Sequence, residues 1–171
     1  MTMTSQFGES FIGDGVNAAH VNTVLGIIGG PVETAWVTAL ATPRPGHAAF
    51  VATAAPGIPL RPMTLFVNKA TIEVERHGEL TWGAAQAGVA GGVCDAVLDG
   101  VISAATAADL LLIVAVWVNP GADDEDAVYA NNRKATATAL RHGSLGLPTV
   151  DTVLEAGAAP WNAYFRRPSG D

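Results

Sequence analysis

Apolar and polar residues alternate through "NAAHVNTVLGIIG", residues 17–29, and that alternation predicts a β-strand. With a period of two, His20, Asn22 and Val24 share one face, while Val21, Thr23 and Leu25 share the other. Ahead of it "SQFGESFIG" alternates more loosely and meets Asp14-Gly15, a pair that favours a tight hairpin turn. The two segments together predict an antiparallel hairpin. Gly29, Gly30 and Pro31 then break the pattern. Pro31 suits the first position of a helix and Glu33 its electropositive first turn, so "PVETAWVTALA" predicts a helix that "TPRPG" ends.

Two more strands are predicted over "HAAFVATAAP" and "MTLFVNKATIEV", joined by the Pro-rich loop "PGIPLRP". In the second of these, the period-two count puts Lys69 and Thr71 on one face. "LTWGAAQAGVAGGVCDAVLDGVI" reads as a helix. Gly83, Gly88, Gly91 and Gly92 crowd into it, and each costs about 1 kcal/mol relative to Ala, so they mark close approach to another backbone. Cys94 in the same helix is expected to be a small buried apolar side chain. "SAATAADL" predicts a short helix capped by Ser103. "LLLIVAVWV" is rich in β-branched residues and predicts a central strand buried on both faces. "GADDEDAVYANNRKATATALRHG" predicts a helix with acids at its start, bases in its second half and Gly143 just past its end. From Ser144 the periodicity weakens, and Trp161, Tyr164 and Phe165 are expected to dock the tail.

The order of elements gives a mixed α/β chain with four or five strands and three main helices. One layer of helices on one mixed sheet would bury the apolar faces. A chain of 171 residues suits a single domain over 1–171. The net charge of −7 argues against nucleic acid or an acidic membrane surface as partner. The single cysteine, Cys94, excludes an intrachain disulfide and a cysteine-based zinc site. The densest apolar run, "DLLLIVAVWVNP", is about half of what a membrane span requires, and "MTMTSQFGES" lacks the pattern of a secretory signal. The expectation is a soluble cytoplasmic protein.

No phosphate-binding loop, dinucleotide-binding glycine fingerprint or nucleophile elbow occurs. His20, His47, His77 and His142 show no metal-ligand spacing, so no metal site is expected. What remains is polar pairs on apolar strands: His20 with Asn22, and Lys69 with Thr71. Facing inward from two strands, they could build one small site. An unpaired lysine is costly to bury, so Lys69 calls for a partner or an anionic ligand, or else an edge-strand position.

Several ordered segments carry a resemblance. "GESFIGDGVNAAHVN", "GGPVETAWVTAL", "AAPGIPLRPMTLFVNKATI", "AQAGVAGGVCDAV" and "GVISAATAADLLLIVAVWVNPGADDED" together resemble the formaldehyde-activating enzyme family. The likeness runs from about Gly8 to Gly143, with a divergent segment over 144–171. It implies condensation of formaldehyde with tetrahydromethanopterin to give the methylene derivative and water. The enzyme would be a lyase of one-carbon metabolism, with the pterin as co-substrate and no permanently bound cofactor. It also implies a homopentamer with the pterin between adjacent subunits, and a two-layer fold with a left-handed βαβ crossover, an exception to the usual hand. Carried over by position, the proton donor falls on His20, and pterin contacts fall on Asn22, Val51, Lys69, Thr71 and Gln86. The family keeps an aspartate where this chain has Asn22, and usually a leucine at Val51. Arg44 and Arg61, in Pro-containing loops, are equally suited to an acidic pterin tail or to solvent.

The residue types fit the chemistry the resemblance implies. An amine adds to formaldehyde and forms a carbinolamine, whose hydroxide leaves only when protonated. An imidazole with an ordinary pKa of about 6.5 can give and recover that proton near neutral pH. A carboxylate beside it would raise its pKa and stabilise the cationic iminium; Asn22 orients but supplies no charge. A second reading therefore keeps the site but uses another amine or pterin. A third makes the chain a non-catalytic pentameric binding module, against which the retention of His20 and Lys69 speaks.

Overall fold

A computed structural model of the chain describes residues 5–163 and residue 165. The hairpin strands form as their alternation predicts: β1 spans Gln6–Ile12 and β2 spans Ala19–Ile27, paired antiparallel. The turn between them is longer than two residues. A 3-10 turn, Gly15–Asn17, occupies it, with Gly13 and Gly15 at positive φ. Asn17 explains the longer connection. Its Oδ1 accepts from the N–H groups of Asp123 and Asp124, and its Nδ2 donates to Asp123 Oδ1, so the hairpin tip is tied to a distant helix start.

Helix α1 (Pro31–Ala41) has the predicted bounds. Pro31 opens it, and the Glu33 carboxylate reaches back to accept from Gly29 N–H at 2.8 Å, which satisfies a donor that the first turn leaves free. "HAAFVATAAP" is not one strand. β3 (Phe50–Val51) ends at Val51, and after Ala52 the chain leaves the main sheet as β4 (Thr53–Ala55), paired with β5 (Ile58–Pro59) in a separate ribbon. β6 (Met63–Asn68) follows. The next helical run starts earlier than predicted: α2 (Glu75–Glu79), a π-helical segment (Leu80–Ala85) and α3 (Gln86–Leu98). The expected helix at Ser103 is only a 3-10 turn, Ala107–Asp109, and Ser103 caps nothing there. β7 (Leu110–Val118) is the centre of the sheet, as its apolar run predicts. Helix α4 (Glu125–Leu145) begins at Asp124, whose side chain accepts from Ala127 N–H, and it runs through Gly143 to a left-handed Gly146. Gly143 is glycine for a different reason: a Cβ there would meet the Phe7 carbonyl oxygen at 3.0 Å. A further helix, α5 (Val150–Gly157), forms where the periodicity is weak.

The five-stranded sheet has the order β1-β2-β7-β6-β3 and is antiparallel except for the central β7–β6 pair. That parallel pair is joined through the α2–α3 run, which is the βαβ crossover. The molecule is a two-layer α/β sandwich. One sheet face presents Ala19, Val21, Leu25, Phe66, Leu112, Val114 and Val116 to α3 and α4, and this is the main core. Gly88 and Gly92 let those two helices touch: a Cβ on either would come within 2.5 Å of a backbone carbonyl of α4, Tyr129 or Arg133. The glycine-rich helix therefore does approach a backbone, as its composition predicts. Cys94, expected inside, is exposed, because the Gly88–Gly92 side of α3 takes the contact with α4.

The opposite sheet face is covered at one end only. Val32 and Trp36 of α1 pack there on Leu65 and Leu111, with Val24, Val51, Val67 and Ile113 around them. Beyond α1 the same face stays half open, and it carries the polar residues. Trp161 and Phe165 of the tail are more than half exposed, and Tyr164 lies outside the described residues.

Candidate functional site

Sheet register brings the polar residues of the open face into two rows. Phe11 pairs with His20, which pairs with Trp117; Glu9 pairs with Asn22, which pairs with Ala115, itself beside Val67. Lys69 continues β6 by one ladder bond, its N–H donating to Val116 O at 2.8 Å. Its side chain therefore rises on the same face as His20 and Asn22.

Four side chains meet there. Lys69 Nζ donates to Asn22 Oδ1 at 2.7 Å and faces His20 Nδ1 at 3.3 Å. His20 Nε2 lies 2.9 Å from Glu9 Oε1, and the Phe11 ring stands 6.0 Å from the imidazole, centroid to centroid. An ammonium facing Nδ1 makes that nitrogen the acceptor, so Nε2 carries the proton and donates to Glu9. The imidazole is thus neutral and fixed in one tautomer. Burial, and next the positive charge of Lys69, push its pKa below the usual histidine value; the Glu9 carboxylate opposes them. Burial also pushes Lys69 below the ordinary lysine range, again against the pull of Glu9. With 37% of the His20 side chain accessible, the dyad is reachable from solvent.

Glu9 is the residue that sequence reasoning missed. Asn22 lacks the carboxylate expected of its position, and a carboxylate on the neighbouring strand stands directly opposite it. A usable signal was present. Any hairpin connection of even length keeps Glu9 on the same face as His20, and the six residues Gly13–Ala18 are even in number.

The other expected site residues do not join this cluster within one chain. Thr71 does not share the face of Lys69, contrary to the period-two count. The strand ends at Asn68, whose Nδ2 donates to the carbonyls of Gly46 and Ala70, and the chain turns away. His47 then holds Thr71: its Nε2 lies 2.9 Å from Thr71 Oγ1, and its Nδ1 lies 3.0 Å from the Asn68 carbonyl. Val51 pairs with Leu65 and packs in the cluster under α1. Gln86, at the start of α3, donates from Nε2 to Thr53 O at 2.9 Å. Val51 therefore lies on the α1-covered part of the sheet face that carries His20, and Gln86 bonds the β4 backbone from α3. Arg61 donates to the Leu60 carbonyl and forms no part of the cluster. Among the described residues, no group of three or more His, Cys, Asp and Glu side chains could hold a metal ion. No helix among them is long and apolar enough to cross a membrane.

The arrangement offers a neutral imidazole between a carboxylate and a lysine that rests on a neutral amide. Such a set can move a proton to or from a small polar substrate at the sheet surface. Residues 7–163 match the family described as formaldehyde-activating enzyme (Fae). A 5,6,7,8-tetrahydromethanopterin hydro-lyase of Methanosarcina barkeri is 42% identical over 152 residues, which cover 89% of this chain and 85% of that protein. A bifunctional enzyme Fae/Hps of Methanosarcina mazei is 35% identical over 150 residues, covering 88% of this chain and 38% of that longer protein. One of Methanococcoides burtonii is 37% identical over 147 residues, covering 86% of this chain and 37% of that protein. The chain belongs to the formaldehyde-activating enzyme family.

Proposed function

We propose that the protein condenses formaldehyde with tetrahydromethanopterin, giving methylene-tetrahydromethanopterin and water. The observation that carries this reading is the Glu9–His20–Lys69–Asn22 cluster on the open sheet face. An amine adds to the carbonyl, the carbinolamine hydroxyl departs as water with a proton from His20, and the carbon reaches a pterin amine. The second amine nitrogen then closes the ring. Glu9 stabilises the imidazolium while His20 carries the extra proton, and it supplies the counter-charge that Asn22 cannot.

The site is completed between copies of the chain in a homopentamer. Support for this comes from the split of the expected contacts. His20, Asn22 and Lys69 stand on the open part of the face, whereas Val51 packs under α1 and Gln86 bonds the β4 backbone from α3. An adjacent subunit would bring the second group to the first across the half-covered face.

The test mixes purified protein with formaldehyde and tetrahydromethanopterin and follows methylene formation above the spontaneous rate. Acceleration is expected. No acceleration with this pterin, but acceleration with tetrahydrofolate, would replace the acceptor and keep the condensation; none with any amine would remove the enzymatic reading altogether.

A further inference from the structure

Lys69 has a setting unlike that of a substrate-binding cation. Its Nζ rests on the Asn22 amide oxygen and on the His20 lone pair, and among the described residues no carboxylate pairs with it. Glu9 stands on the far side of the imidazole. A carboxylate at position 22 would hold a lysine as ammonium. An amide oxygen accepts a hydrogen bond from an amine as well as from an ammonium, and so does not. Half-buried, with a depressed pKa and a base 3.3 Å away, Lys69 has the features of a lysine that attacks carbonyl groups.

We propose that Lys69 is the first acceptor of formaldehyde, capturing it as a methylene iminium and passing the carbon to the pterin amine. The acceptor named here rests on the proposed condensation. The capture itself requires only formaldehyde. The Lys69 ammonium gives a proton to His20 Nδ1, and the resulting imidazolium is held by Glu9. The free amine adds to formaldehyde, forming the C–N bond, and a proton shift from nitrogen to oxygen leaves the carbinolamine. His20 returns its proton to the hydroxyl, the C–O bond breaks and water leaves. Lys69 now carries the cationic iminium, so one ammonium and one formaldehyde have become one iminium and one water. A pterin N–H attacks the methylene carbon, and the proton it carried moves to the lysine nitrogen. The lysine amine departs, and the second pterin nitrogen closes the ring, releasing the proton that restores the ammonium.

This order also explains how an imidazole that is neutral at rest comes to act as an acid. Its proton arrives from Lys69, through the contact already in place.

The chain is suited to a direct test because it has two lysines, Lys69 and Lys134, and Lys134 is exposed on α4. The native protein is treated with formaldehyde and cyanoborohydride, without pterin, and N-methylation is mapped by mass spectrometry. Accessibility alone favours Lys134. Capture at the site predicts that Lys69 is methylated about fivefold or more faster at pH 7, and that its labelling levels off at a lower pH. Labelling of Lys69 at or below that of Lys134 overturns the proposal, even if the pterin condensation is fast. Selective labelling without pterin turnover supports it and overturns the acceptor instead. Lys69→Arg keeps the charge and a donor to Asn22 but forms no iminium, and is expected to lose about a hundredfold or more of the acceleration. Retention of more than half the wild-type rate would contradict capture on Lys69.

Discussion

Each of the four histidines has a distinct place, and only one has chemistry on the open face. His77 is buried and sits 3.0 Å from the Val118 carbonyl, a packed core residue. His142 reaches the Glu9 backbone carbonyl at 3.1 Å and so steadies β1 from the α4 side. His47 holds the turn that follows Asn68. His20 alone lies between a lysine and a carboxylate. Its titration is predictable in sign. NMR should place its midpoint below about 6.5, the usual histidine value. Glu9→Gln removes the carboxylate that opposes the shift and should lower it further; Lys69→Met removes a like charge and should raise it. Opposite movement in either variant would refute the electrostatic description. Stability follows the same linkage. The unfolded chain binds the His20 proton more readily, so this group's contribution is complete above about pH 6.5 and is lost as pH falls toward the lower folded value. His20→Ala should remove the acceleration of condensation, by about a hundredfold or more. Asn22→Asp should bind Lys69 as an ion pair and slow formaldehyde labelling of Lys69, read in the same mass-spectrometric assay.

At the scale of elements, the contact of α3 with α4 decides which glycines matter. Gly92→Ala would force a Cβ to 2.5 Å from Arg133 O and should destabilise the fold by about 1–3 kcal/mol, measured by denaturant unfolding. Gly83→Ala in the neighbouring π-helical segment meets nothing within 4 Å and should stabilise by about 0.5–1 kcal/mol. A reversed order would refute the close-approach reading. The strands β2 and β7 and the helices α1 and α4 were legible in sequence because their signals are local: period-two alternation, an apolar β-branched run, Pro31 and Glu33 at a helix start. Failures came where tertiary contacts override local pattern. The β6 strand continues in pattern through Thr71, yet Asn68 and His47 turn the chain after Lys69. The hairpin tip looks like a two-residue turn, yet Asn17 is claimed by the start of α4. The same holds for the site. His20 and Asn22 are visible on one face of one strand, and hairpin parity places Glu9 on that face too, but only the register sets it directly opposite Asn22.

For the whole molecule, the separation of the two residue groups makes assembly testable through function. In a ring of heterologous contacts each site takes one wall from each of two neighbours. Two inactive variants, His20→Ala and Gln86→Ala, mixed and reassembled in equal amounts, should then recover about a quarter of the wild-type activity, because that share of sites draws both intact walls. No recovery in reassembled mixtures would place the complete site within one chain.

The ion pairs of the described residues carry a consequence for life beside the proposed substrate. Arg133 with Asp95, Arg141 with Asp99, and Arg76 with Glu79 and Glu125 hold the helical layer together, and in every one the cation is a guanidinium. Formaldehyde fixes proteins by bridging exposed primary amines. With arginine bearing the structural pairs and Lys134 as its one exposed lysine, the described surface offers the aldehyde little to tan. On the proposed capture, an adduct at Lys69 is discharged as turnover rather than accumulating as damage.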